Sequence, residues 1–233
     1  MSSSGAPRYE ELVSPIDDSP LALGSLSLGA GENAQIGSTE ADTLLYVPSG
    51  SGRLARDGDE RSLTARSAAL VLAGEEATVE ADPDLILLVA TVGPDVDLHA
   101  PMGPRDDVAS LDEVGAAKAT GARSFQVLFG PHNGSLRATL FAGFIPPGRA
   151  PWHYHLYDEI VWVSEGPGRL HLGETIEELG PGAAFRLRPR DVHIVENARA
   201  GQEMLVIGIF TPAGSPSAAY LTPNVAAEYV LAG

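Results

Sequence analysis

The stretch Gly148-Arg-Ala-Pro-Trp-His153-Tyr-His155-Leu-Tyr-Asp-Glu159-Ile-Val-Trp-Val-Ser-Glu-Gly166 decides how this chain is read. His153 and His155 sit two residues apart, so on an extended strand both imidazoles face one side. After a tight bend, Glu159 can return a carboxylate to that face. Further on, Pro189-Arg-Asp-Val-His193-Ile-Val-Glu-Asn197 offers a third imidazole from a strand able to pair nearby. Three neutral nitrogens and one carboxylate suit Fe, Mn, Co, Ni or Zn as the divalent ion, with positions left for water or substrate. His153, His155, Glu159 and His193 are the expected ligands of one divalent transition metal.

Around this stretch the chain divides into short apolar runs separated by Gly, Pro and Asp. They fall at 21–28, 43–47, 63–72 and 85–92, and again at 125–129, 136–145, 159–163, 168–172, 183–187, 192–195 and 204–210. Short strands with turns at regular spacing indicate an all-β sandwich or barrel. A displacement of 116 residues lays Tyr46-Val-Pro-Ser-Gly-Ser-Gly-Arg-Leu54 on Trp162-Val-Ser-Glu-Gly-Pro-Gly-Arg-Leu170. The register then holds through Leu63 on Leu179, Ala68 on Ala184 and Val79-Glu80 on Val195-Glu196, and a two-residue shift brings 85–92 onto 204–210. Two copies of one small β-domain follow. At this offset His153 meets Gly37, His155 meets Thr39, Glu159 meets Thr43 and His193 meets Ala77. None is a useful ligand, so the first copy is expected to be metal-free and the chain to hold one metal.

The expected organisation is an arm over 1–19, a metal-free domain over 20–95, a linker over 96–122, and a metal-binding domain with a C-terminal tail over 123–233. Within the linker, Ser110-x-x-Glu113 reads as a capping box opening a short helix that Gly121 ends.

The two histidine-bearing stretches resemble the paired motifs of the cupin superfamily. The first of these motifs is matched by His153, His155, Glu159 and Gly166, with Gly148 one residue closer than usual. The second is matched by Gly182, His193 and Asn197, while Arg188 and Arg190 stand at the usual Pro and Gly positions, implying altered geometry in the turn before His193. The resemblance implies two jelly-roll barrels in tandem, a bicupin with its metal site in the C-terminal domain. It also implies an enzyme of dioxygenase or isomerase type, acting on a small polar molecule with a carbonyl, enol or carboxylate. Glu159, Tyr157 or a bound water would move protons. Two further readings stand beside it. One is a hydrolase similar to ureidoglycine aminohydrolase, whose ligands read Glu, His, His and a distant Gln where this chain has His, His, Glu and His. The other is a bicupin that binds or stores a small molecule without catalysis.

Composition narrows the partners. The 233 residues carry a net charge of −16, which repels phosphate backbones and anionic lipid, so a small molecule is expected rather than nucleic acid or membrane. A homodimer is the assembly expected if the chain associates. There is no cysteine, which removes thiolate ligands and disulfides. No signal peptide or membrane-length apolar run is visible, so a cytoplasmic location is expected. His171 reads as a group behind the ligands, a proton shuttle or a half-exposed strand residue. Arg186, Arg188 and Arg190 read as binders of a substrate carboxylate or as a surface ladder. Trp152 and Tyr154 alternate away from the metal face, and His99 and His132 carry no assigned role.

Overall fold

A computed structural model describes residues 6–119, 122–221 and 226–228, the last three by backbone alone. Among them the chain is all β, with a single 3-10 turn at Pro131–Asn133 and no α-helix. It forms two jelly-roll barrels in tandem. In the first, a sheet ordered Arg8–Val13, Leu21–Leu28, Leu85–Val92, Asp42–Ser49, Ser67–Val71, Val108–Ser110 faces one ordered Asn33–Gly37, Glu76–Ala81, Ser51–Arg56, Asp59–Thr64. In the second, the sheet Ala117–Lys118, Ser124–Phe129, Thr139–Ile145, Met204–Thr211, Asp158–Glu165, Ala184–Leu187 faces Thr175–Leu179, Gly168–Leu172, His193–Asn197, His153–Tyr154, Ala219–Leu221, Ala226–Glu228. None of the described helical residues is long or apolar enough a segment to cross a membrane.

The two sheets that face each other between the barrels, built around Leu85–Val92 and Met204–Thr211, bury both faces. Along Leu85–Val92, Leu85, Leu87 and Val89 fill the first barrel, while Leu88, Ala90 and Val92 join a core shared between barrels. Along Met204–Thr211, Met204 and Val206 point into the second barrel while Leu205, Ile207 and Ile209 join the shared core. This is why both runs read as uninterrupted apolar sequence rather than as alternation. The same two-residue period aims Glu159, Val161 and Val163 inward from Asp158–Glu165 and sends Ile160 to the shared core.

The repeat is visible in the backbone. Left-handed residues fall at Gly50 and Gly166, Asp57 and Gly173, Arg66 and Gly182, and Gly74 and Arg190, each pair 116 apart. Cross-strand pairs repeat too: Arg53 with Glu80 and Arg169 with Glu196, Thr43 with Val71 and Glu159 with Leu187. Arg190 therefore keeps the backbone that Gly74 has in the first copy, and the turn before His193 is not distorted by its arginine. Two details of register differ from the sequence reading. Thr91 and Phe210 are the equivalent partners of Thr43 and Glu159, so the late insertion is three residues, not two. The partner of Ala77 is Ile36, whereas His193 pairs with His153, so Ile36 rather than Gly37 stands at the His153 position. Its buried side chain occupies barrel interior where the second copy places an imidazole.

The linker helix does not form. Val108–Ser110 adds to the edge of Ser67–Val71 as a strand. The Ser110 hydroxyl accepts from the Asp112 N–H at 3.3 Å, and its carbonyl accepts from Glu113 and Val114 at 3.1 Å each, which closes one turn. Ala109 and Leu111 are buried in the shared core, and the Gln126 amide donates to the carbonyls of Leu111 and Val114. Tertiary partners thus take the groups a helix would use internally. Gly121, expected to end that helix, lies outside the described residues. The N-terminal segment is not merely an arm, because Arg8–Val13 pairs with Leu21–Leu28 as an edge strand.

Ile207→Ala, at the shared core, is expected to destabilise the protein by about 2–5 kcal/mol. Urea unfolding followed by tryptophan fluorescence, which reports only Trp152 and Trp162, and by far-UV circular dichroism should give one coincident midpoint that moves with the substitution. Separate midpoints would show that the barrels do not share this core.

Candidate metal centre

The second barrel brings all four expected ligands together. His153 and His193 face one another across adjacent antiparallel strands. His155 lies in the bend that follows, and Glu159 reaches in from the opposing sheet. The ring centroids of His153 and His193 are 4.4 Å apart and those of His155 and His193 are 4.9 Å apart. All four side chains are buried.

Each imidazole is held the same way. Nδ1 of His153 lies 2.9 Å from the Pro151 carbonyl, that of His193 is 2.8 Å from the Asp191 carbonyl, and that of His155 is 3.3 Å from the Tyr157 carbonyl. A carbonyl can only accept, so each Nδ1 carries the proton and each Nε2 presents a lone pair. Burial, reinforced by neighbouring His193 and Arg123, drives the His153 pKa down to about 2; burial, reinforced by His155, drives that of His193 to about 4. Both are neutral at physiological pH, the form that binds a metal.

His155 Nε2 is buried and makes no hydrogen bond, although Glu159 Oε2 lies 2.8 Å away. That separation is an ion pair only if His155 carries a second proton. A cation between them satisfies both atoms, together with the lone pairs of His153 and His193. The donor set therefore fits a divalent transition metal. As the side chains stand, no three of the described His, Asp or Glu residues close into a ready coordination sphere. Arg123 Nη1 lies 3.4 Å from His153 Nε2.

The cluster opens on a cavity of about 80 Å³, room for on the order of five waters or one small organic molecule. Apart from the ligands, Arg123 and Ser124, its walls are apolar, with Phe125, Phe141, Ile145 and Val206 prominent. Tyr157 stacks between His155, at 4.1 Å, and Phe210, at 3.9 Å. Burial raises its phenol pKa well above the ordinary value, so it stays neutral.

Residues 142–210 match the family model described as a cupin domain. More than nine-tenths of the chain aligns with solved structures. These include a cupin 2 conserved barrel domain protein from Leptotrichia buccalis (14% identity, 91% of this chain and 92% of that one, TM-score 0.64). AerE from Microcystis aeruginosa aligns at 13% identity over 91% and 95%, TM-score 0.72. An oxalate decarboxylase of Bacillus subtilis aligns at 13% identity over 95% and 80%, TM-score 0.73. Residues 142–210 are thus similar to a cupin domain, and the chain shares the fold of these structures. No curated relative matches it by sequence.

Several candidate residues fall outside the cavity. His171 donates its Nε2–H to the Glu196 carboxylate at 2.6 Å and meets the edge of Trp152, on the far side of its sheet from the cluster. Arg186 is buried between barrels beside Asp158 and donates to the Leu21 carbonyl. Arg188 and Arg190 do not line the cavity. Tyr154 stacks on Tyr220 at 5.2 Å and Trp152 is part-exposed, so neither faces the ligands.

Two residues that matter here had no motif to announce them. Arg123, whose carbonyl accepts from Ala119 N–H at 2.9 Å, lines the cavity. Gly208 lies beside Glu159, and a Cβ there would come 2.9 Å from Glu159 Oε1 and 2.3 Å from the Phe141 ring. Its bare backbone is what lets the carboxylate and that ring lie side by side.

In the metal-free protein, the depressed pKa values of His153 and His193 make the unfolded chain the better proton binder below pH 6.5. Their contribution to stability is complete above that pH and lost as pH falls towards the folded values. Between pH 7 and pH 5 each should cost about 2 kcal/mol. Urea unfolding at those two pH values measures the loss, and His193→Gln should remove its share of the difference.

Proposed function

We propose that this cupin is a metal-dependent enzyme with one divalent metal per chain, held by His153, His155, Glu159 and His193 in the C-terminal barrel. The carrying observation is that all three imidazoles lock Nδ1 onto backbone carbonyls and turn Nε2 towards one cavity, beside a buried carboxylate. The first barrel, with Ile36, Thr43 and Ala77 at the matching places, has no comparable donors. When bound, the metal supplies Lewis-acid polarisation of a substrate oxygen or a place for dioxygen. Both dioxygenase-type and isomerase-type chemistry on a carbonyl, enol or carboxylate compound fit that role.

The chain's own residues do the rest. The apolar walls exclude water and strengthen charge interactions inside. Tyr157 fixes the plane of His155 by stacking and remains a neutral phenol able to donate, and among the described residues Glu159 is the only carboxylate in the cavity lining able to accept a proton. A solved neighbour, the oxalate decarboxylase of Bacillus subtilis with its Mn(II) centres, supports a divalent metal as the resident ion. The acidic surface favours a small-molecule partner over nucleic acid or membrane.

Mass-spectrometric metal analysis of protein purified without chelator should find about one divalent ion per chain, and His155→Ala should lose at least tenfold of it. Two equivalents per chain, or unchanged content in the variant, would overturn the assignment. Oxygen uptake with candidate enols then separates dioxygenase from isomerase chemistry.

A further inference from the structure

The reverse face of the strand that carries Glu159 holds a buried polar cluster between the barrels. Glu159 points into the second barrel, so its neighbour Asp158 points the other way, towards the first. The Ser19 hydroxyl donates to Asp158 Oδ2 at 2.6 Å. Arg186 Nε lies 3.7 Å from Asp158 Oδ1, and Arg186 Nη2 donates to the Leu21 carbonyl. Ser19 and Asp158 are buried, and the Arg186 side chain is only 9% exposed. Two mutual backbone hydrogen bonds of 3.0 Å between Ile16 and Ser19 close the turn that presents the hydroxyl, and Leu21 opens a strand of the first barrel.

This cluster grips the two strands on which Glu159 depends. Asp158 directly precedes Glu159, and Arg186 directly precedes Leu187, the cross-strand partner of Glu159. Each imidazole is steadied by a backbone carbonyl through Nδ1, whereas among the described residues no backbone group steadies the Glu159 carboxylate. Its position is set by its strand. The other half of the repeat holds the same device with no ligand beside it. Asp42, 116 residues before Asp158, is also buried, and Thr43 follows it in place of Glu159. Arg137 leads into Thr139–Ile145 as Ser19 leads into Leu21–Leu28, and it reaches across from the second barrel to bring Nε 3.6 Å from Asp42 Oδ2. Asp42 Oδ1 also accepts from the Ala73 N–H at 2.8 Å. The residue matching Ala73 is Pro189, which has no N–H to give, so Asp158 depends on Ser19 and Arg186.

We propose that Ser19, Asp158 and Arg186 form a clamp through which the first barrel positions Glu159 for the metal. The proposal rests on the metal reading above and gives the metal-free barrel a task at the metal centre. Ser19 and Arg186 act through Asp158, and Asp158 acts through the backbone it shares with Glu159, so all three are positioning residues. Arg137 and Asp42 form the counterpart clamp, which holds the same interface and steadies no ligand.

The test is titration of Co(II) into metal-stripped protein, followed by visible absorption. Ser19→Ala, which removes one hydroxyl and no charge, should weaken Co(II) binding by about tenfold, the loss expected when a group behind a metal ligand is deleted. It should also change the shape of the Co(II) bands, because the carboxylate no longer engages fully, whereas lost stability alone would scale the bands without reshaping them. Arg137→Met, at the counterpart clamp, should leave both affinity and band shape as in wild type. In a Glu159→Ala background, Ser19→Ala should weaken Co(II) binding no further, since the ligand through which it acts is gone. Equal weakening by Ser19→Ala and Arg137→Met, an additive loss in the Glu159→Ala background, or wild-type affinity in Ser19→Ala would each overturn the clamp while leaving the metal reading intact. Failure of the wild type to bind Co(II) would overturn the metal reading and the clamp with it. Thermal unfolding of each metal-free variant checks its fold; should Ser19→Ala fail to fold, Arg186→Lys, which keeps the charge beside Asp158, takes its place with the same expected outcomes.

Discussion

Leu44, Leu88, Ile160 and Ile207 lie on the outer surfaces of two different barrels and are nevertheless removed from water, because each barrel covers the other. Much else depends on that mutual cover. It lets the central strands be apolar on both faces, which fixes the sheets holding Leu85–Val92 and Met204–Thr211 as the interior layers of the molecule. The smaller or outer sheets are left to face solvent, where strands such as Thr175–Leu179 are exposed at all but one position. Glu159 is held by a strand locked on one face to the shared core, and so presents its carboxylate to the cavity from a rigid element.

The metal centre follows from crossing that rigid sheet with its opposite. His153 and His193 come from the outer sheet, Glu159 from the inner, and His155 from the bend joining them. Four side chains arriving from opposed layers surround a point no single strand could enclose. Backbone carbonyls then set each imidazole's tautomer, Gly208 leaves room for the carboxylate, and Tyr157 backs His155. Arg123, next to Ser124–Phe129, brings a guanidinium to the cavity wall.

Much of this was legible in the sequence because the informative residues obey simple spacing. His153 and His155 share a strand face, and the 116-residue register carried the second barrel back onto the first. What escaped was decided by contacts distant in sequence. Ser110-x-x-Glu113 has the residues of a helix start, but Gln126 and the buried Leu111 claim its backbone. The shift that puts Ile36 opposite Ala77 depends on loop lengths that spacing alone does not reveal. Arg123 sits in no motif, and only the fold brings it to His153. Arg186 looked like one of a ladder of equivalent arginines, yet it is buried between barrels while its neighbours are not.

The paired left-handed turns have a wider meaning. In three of the four, one copy has glycine where the other has Asp57, Arg66 or Arg190. An L-residue in that conformation costs roughly 1–2 kcal/mol, so the turn shape is imposed by the sheets and not chosen by the residue. A duplicated chain of this kind carries its own internal homologue. Each half records what the other's backbone requires, and positions free to drift can be told from positions held by comparing the protein with itself.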